Sequence, residues 1–255
     1  MNELESRKYG FLTSKRLPAG LPSAMVATII VLAAALAVAQ HASAESTSTP
    51  YPKMAPLSQY LMAQDAEIVL AKSSAPESIA KDADILVLDR SGYRTAIKGH
   101  NGFVCVVQRS WAADLDSPDF WNPKLRAPAC FNAPAVRSFL PRLVKRTNLV
   151  LAEKTKEQLS AGMKAAFEAK EIPAIEPGAM AYMLSKQSYL GDRDGHWRPH
   201  IMVFVSQEEP DGWGANLPGS PVFGSADHTD HVCTFYIPVA KWSDGSADSN
   251  DHGSH

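Results

Sequence analysis

The chain has 255 residues, with 25 Lys/Arg against 27 Asp/Glu and a formal net charge of −2. A hydrophobic share of 45% is ordinary for a globular protein. The near-neutral balance argues against a nucleic-acid binder, which usually carries a basic face.

The N-terminal segment reads as a secretory signal peptide. Arg7, Lys8, Lys15 and Arg16 form a basic leader, and Met25 to Ala39 follows without a charge. Ala42-Ser43-Ala44 then offers the small residues a signal peptidase reads, with cleavage before Glu45. A spanning helix needs about 20 apolar residues, more than this run supplies. The leader carries four basic and two acidic residues, so its removal leaves 211 residues with 21 basic and 25 acidic side chains. Residues 1–44 are thus expected to be the signal peptide and 45–54 a flexible lead-in. Residues 55–242 should form a single domain, and 243–255 a polar, disordered tail. The membrane enters only through export, and the destination is the periplasm or the medium.

Pro56 to Lys72 has helical spacing, with Leu57, Leu61, Ile68 and Ala71 on one face. Ile85 to Arg109 reads as a meander of three strands: Ile85–Leu88, Tyr93–Lys98 and Phe103–Val107. Asn101-Gly102 is a hairpin signal between the last two. The third strand is apolar throughout, which predicts burial on both faces. Trp111 to Pro134 is aromatic and Pro-rich and reads as an ordered loop, because Trp111, Phe120, Trp121 and Phe131 require burial.

Ala135 to Ala152 is helical with a break at Pro141. Thr155 and Gln158 have capping-box spacing, followed by a Leu159, Met163, Phe167 stripe. Strands return at Met180–Leu184, His200–Val205 and Val232–Val239, with a Gly- and Pro-rich loop from Glu208 to Gly224. The pattern predicts an α+β fold: a mostly antiparallel sheet with helices packed on one face.

Export places the three cysteines in an oxidising compartment. The favoured pair is Cys105–Cys130, with Cys130 in a loop folded back over the strand that holds Cys105. Three buried thiols acting as small hydrophobes are the alternative.

His196, His200, Met202, His228, His231 and Cys233 form the densest cluster of donor-bearing side chains. In a strand, alternate residues share a face, so His200 points with Met202 and His231 with Cys233. Paired in register, His200, Met202, His231 and Cys233 would suit copper or zinc. The spacing matches no compact ligand motif, and no cofactor is otherwise implied. Asp192-Arg193-Asp194-Gly195 opens like a calcium loop but lacks the later ligands, and reads as a surface turn. Ser78-Ile79-Ala80-Lys81 has Ser-x-x-Lys spacing without the supporting elements of that chemistry. Trp213 to Pro221 is a loop able to hold fixed backbone shapes. Its Trp213 and Asn216, with His196 and His200, are the candidate lining of a ligand cleft.

Five phrases, NGFVCVVQRSW (101–111), FWNPKLRAPACFN (120–132), EPGAMAYMLSKQSYLGD (176–192), HWRPHIMVF (196–204) and WGANLPGSPV (213–222), together resemble a group of exported bacterial proteins of uncharacterised function. The resemblance spans roughly Met54 to Gly245. It implies export in a bacterium and carries no activity, cofactor or site residue. The expected function is a non-enzymatic exported domain that binds a small ligand or partner through His196, His200, Trp213 and Asn216. The alternative is an exported hydrolase or metal-dependent enzyme using His196, His200 and His231.

Overall fold

A computed structural model describes residues 50–192, 195, 197–206 and 210–249. The segment expected to be a signal peptide, the first half of the expected lead-in and the end of the tail lie outside the described residues, as does His196. Among the described residues, five α-helices and one eight-stranded sheet form the domain. The strands are β1 (Asp84–Asp89), β2 (Gly92–Ile97), β3 (Val104–Gln108), β4 (Ala127–Phe131), β5 (Met180–Met183), β6 (His200–Ser206), β7 (Phe223–Asp227) and β8 (Val232–Pro238). The helices are α1 (Gln64–Lys72), α2 (Glu77–Ala80), α3 (Ala133–Ser138), α4 (Leu140–Leu151) and α5 (Lys156–Glu168). The sheet order is β2-β1-β3-β4-β5-β6-β8-β7, and every pairing is antiparallel except β1 with β3.

The parallel pair corrects the expected meander. After β2 the chain crosses the end of β1 and enters the sheet on its far side. The amides of His100 and Asn101 both donate to the Asp82 carbonyl, and Phe103 O accepts from Asp84 N. The crossing is so close that a Cβ on Gly99 would lie 2.3 Å from Asp82 and Ala83 backbone atoms. Asn101-Gly102 therefore turns the chain without joining two neighbouring strands.

Two further boundaries differ from expectation, each for a local reason. The first helix does not run from Pro56. A short 3-10 turn at Leu57–Gln59 precedes α1, because the Tyr60 carbonyl accepts Arg109 Nε at 2.7 Å instead of continuing a helical ladder. Cys130 lies in a strand, not a loop. Its β4 pairs with β3, so that Cys105 stands directly opposite Cys130 and the two form a disulfide. Pro128 is tolerated there because β5 pairs only with Cys130 and Phe131 of β4.

The α+β class and the mostly antiparallel sheet are as expected, but helices stand on both faces rather than one. α1 covers the face that carries Ile85, Cys105, Val107 and Cys130. α3 and α4 cover the other, where Val106, Ala129, Phe131, Ala181, Met202 and Phe204 pack with Leu140 and Leu143. α3 breaks from α4 near Pro141, and Thr155 and Gln158 form the capping box that opens α5. All four aromatic residues of the 111–134 region named above are buried.

The polar segment from Ser243, expected to be disordered, is tied down as far as Asp248. Ser243 N donates to the Leu184 carbonyl, Asp248 N to that of Ala240, and the buried Asp248 carboxylate meets Arg198 Nε at 2.9 Å. A half-buried ion pair and these backbone bonds outweigh the composition. At the other end, Tyr51 donates to Asp192 and Met54 packs against the Trp111 cluster, so the described part of the lead-in is anchored.

Candidate functional site

On β6 and β8 the side chains alternate between two environments. His200, Met202 and Phe204 share a face with Val232, Thr234 and Tyr236 of the paired strand. Val203, Val205, Cys233 and Phe235 point the other way. The first face borders a cavity of about 260 Å³. Its walls are largely apolar and include Leu125, Phe139, Met183, Met202 and Phe204. Phe139 is stacked on Phe204 with ring centres 3.9 Å apart, which makes that wall rigid. Trp197 packs 4.5 Å from the His200 ring and 5.6 Å from Tyr236, adding an aromatic edge.

The polar lining is concentrated at one end. The tight turn from β7 to β8 is set by Asp227, whose Oδ1 accepts the amides of Thr229 at 2.8 Å and Asp230 at 3.0 Å. His231 closes the turn in the left-handed region at φ 51°. Arg146 of α4 reaches this turn. Its Nη1 donates to the carbonyls of Trp111 and Ala113, and its Nη2 lies 3.0 Å from Asp227 Oδ2 and 2.8 Å from Asp230 Oδ1. The contact to Asp230 is off the N–H direction, so that oxygen is buried beside a charge without a hydrogen bond. Arg142 donates to the backbone carbonyl of Asp230 at 3.0 Å, not to a carboxylate.

These surroundings displace the acid equilibria. Burial pushes the Asp230 carboxyl up to about 6, with Arg146 opposing and Asp227 adding to the rise. Desolvation, then Asp227 and Asp116, raises Asp114 at the cavity rim. Burial lowers His200 to about 4 and raises Tyr236 to about 12, so both are neutral at physiological pH. His200 Nδ1 lies 2.7 Å from the Arg198 carbonyl. A neutral imidazole must then donate from Nδ1, which leaves Nε2 as an acceptor.

Among the described residues, Ser225, Thr234 and Tyr236 line the cavity with hydroxyls that make no hydrogen bond to the protein. The one Lys or Arg among the described lining residues is Arg109. Its guanidinium is already committed to the carbonyls of Tyr60 and Val107 and to Glu67.

The sequence-predicted residues are divided by this geometry. His200 lines the cavity and is 2% exposed. Trp213 does not join it. It stacks on Phe235, 4.7 Å between ring centres, on the opposite face of the sheet. Asn216 is structural: its side chain donates to the Gly224 carbonyl and accepts the Gly224 amide, pinning the loop to β7. That loop runs into a strand, β7, whose start at Phe223 falls inside the segment expected to be irregular. The proposed metal cluster does not assemble. In the antiparallel register His200 faces Pro238 while Cys233 faces Val205, so His200 and His231 lie at opposite ends of the β6–β8 pair. Met202 and Cys233 also point to opposite faces. Among the described residues, no group of three or more His, Cys, Asp or Glu is placed to hold a metal ion.

Asp114, Asp230, Trp197 and Tyr236 are not singled out by sequence. Alternation with Thr234 marks the face of Tyr236, but Asp230 sits in a polar turn and carries no local sign of burial. No family model, curated protein or solved structure matches the chain.

Proposed function

We propose that this chain is an exported, non-enzymatic domain that binds a small molecule in the cavity between β6, β8 and the 109–114 segment. One observation carries the reading: three hydroxyls, the Asp114 carboxylate and the Nε2 of a neutral imidazole face an apolar-walled cavity without a protein partner among the described residues. Buried polar groups are normally satisfied within the fold, and groups left open around a concave apolar site are the usual mark of a ligand's place. Export is supported by the Cys105–Cys130 disulfide, which persists in oxidising compartments. Among the described residues no helix is long and apolar enough to cross a membrane.

A binding role is favoured over acid–base catalysis by the state of His200. Its Nδ1 partner is a backbone carbonyl, not a carboxylate, and a pKa of about 4 makes it a weak base at neutral pH. The test is ligand-observed NMR with 2-phenylethanol, a fragment small enough for the cavity. Saturable binding is expected, and it should disappear in Ala127→Leu, which places a larger side chain in the cavity wall. Binding that survives this filling, in a variant with the native circular dichroism spectrum, would place the ligand elsewhere.

A further inference from the structure

Resting on the reading of the cavity as a ligand site, we propose that the ligand is a small organic cation: a primary ammonium carried on an apolar or aromatic body. Three carboxylates, Asp114, Asp227 and Asp230, line one end of the cavity. Two guanidiniums meet this group: Arg146, which bridges Asp227 and Asp230, and Arg142, which holds the Asp230 backbone carbonyl. One negative charge is left over, and a monovalent cation would match it.

The three acids are not equivalent. Asp227 is consumed by its own turn and by Arg146. Asp230 is 8% exposed and lines the cavity, with its Oδ1 enclosed against Arg146 Nη2. Asp114 stands at the rim with no side-chain partner among the described residues. An ammonium between Asp230 and Asp114 would neutralise the surplus charge and donate to the Asp114 carboxylate. His200 Nε2 adds a neutral acceptor, and the hydroxyls of Ser225, Thr234 and Tyr236 can also accept. An anionic ligand has no comparable welcome, because Arg109 is committed elsewhere and the acids would repel it. The apolar body would lie against Phe204, Met202 and Phe139, with Trp197 and Tyr236 adding aromatic lining.

The experiment is calorimetric titration of the intact protein at neutral pH with three probes of one shape and different charge: 2-phenylethylamine, 2-phenylethanol and phenylacetate. The amine is expected to bind about tenfold or more tightly than the alcohol, since charge-assisted hydrogen bonds are about twice as strong as neutral ones, and phenylacetate should bind weakest. Asp230→Asn and, separately, the rim variant Asp114→Asn should each erase most of the amine's advantage over the alcohol. A native circular dichroism spectrum certifies that each variant is folded. If the alcohol binds as tightly as the amine, the cation assignment is overturned and the cavity reading stands. If none of the three binds, both fall. An amine advantage that persists in both variants also defeats the proposal, because the charge preference would then arise elsewhere.

Discussion

Glu67 and Asp230 are two buried carboxylates, each beside a guanidinium and each with an oxygen that makes no hydrogen bond. They do different things. Glu67 and Arg109 are both fully buried and matched one to one, and Glu67 Oε1 accepts both the guanidinium at 2.8 Å and the Leu88 amide at 3.1 Å. The pair ties α1 to β1 and to the segment after β3. Asp230 shares Arg146 with Asp227 and borders open volume. A buried charge that is matched and enclosed serves the fold. One that is over-matched in sign and faces a cavity is poised for something from outside.

The comparison breaks most visibly if the closed pair is opened. Arg109→Met removes the cation and leaves the Glu67 carboxylate buried alone. The expected loss is about 3–5 kcal/mol in denaturant unfolding, the usual penalty for stranding one partner of a buried pair. A loss below about 1 kcal/mol would mean that the fold tolerates Glu67 without its cation, and the contrast with Asp230 would disappear.

Asp230→Asn is expected to act in the opposite direction. The folded-state pKa of about 6 lies above the roughly 3.9 of an unfolded aspartate. Between these values the native state keeps a proton that the unfolded chain has released. Stability therefore falls as pH rises from about 4 to about 6, then levels off. Asp114, Asp227, His228, Arg146 and Arg142 are the charged or titratable groups around this region. Removing the charge should stabilise the fold by about 1–3 kcal/mol at neutral pH and by almost nothing near pH 4, read from thermal unfolding at the two pH values. Equal effects at both pH values would show that the Asp230 carboxylate is no burden to the fold. A residue that weakens the fold in its charged form is retained more readily for binding than for packing.

Much of the framework is legible because its signals are local. Thr155 and Gln158 announce the start of α5 within one turn, and the apolar run at 103–107 announces a central strand. The Cys105–Cys130 pair is favoured from expected export and a loop folding back, and it forms, though with Cys130 in a strand. The partner choice of β3 is not legible, because it depends on Gly99 passing against Asp82 and Ala83, residues distant in sequence. β7 is hidden because Gly224, Ser225 and Ala226 carry little β propensity, and the strand is held by pairing with β8. Of the four candidate cleft residues, only His200 lines the cavity among those described. Its strand alternation is visible, but the face to which Trp213 folds is decided by tertiary packing on Phe235.

Trp213 gives the smallest expected effect and the sharpest check on which face of the sheet is used. It is 57% exposed, and its ring rests on Phe235, the neighbour of Thr234 and Tyr236 that points away from the cavity. Trp213→Ala removes one exposed stacking contact, which costs about 0.5–1.5 kcal/mol of stability. The sheet lies between that contact and the cavity, so the affinity for 2-phenylethanol should stay within about twofold of the native value, a difference of less than about 0.5 kcal/mol. Phe204→Ala, on the cavity face of the adjacent strand, should abolish the same binding in a titration. Were Trp213→Ala to weaken binding as much as Phe204→Ala does, the ligand would sit on the Phe235 face. The open carboxylates around Asp230 would then need another explanation.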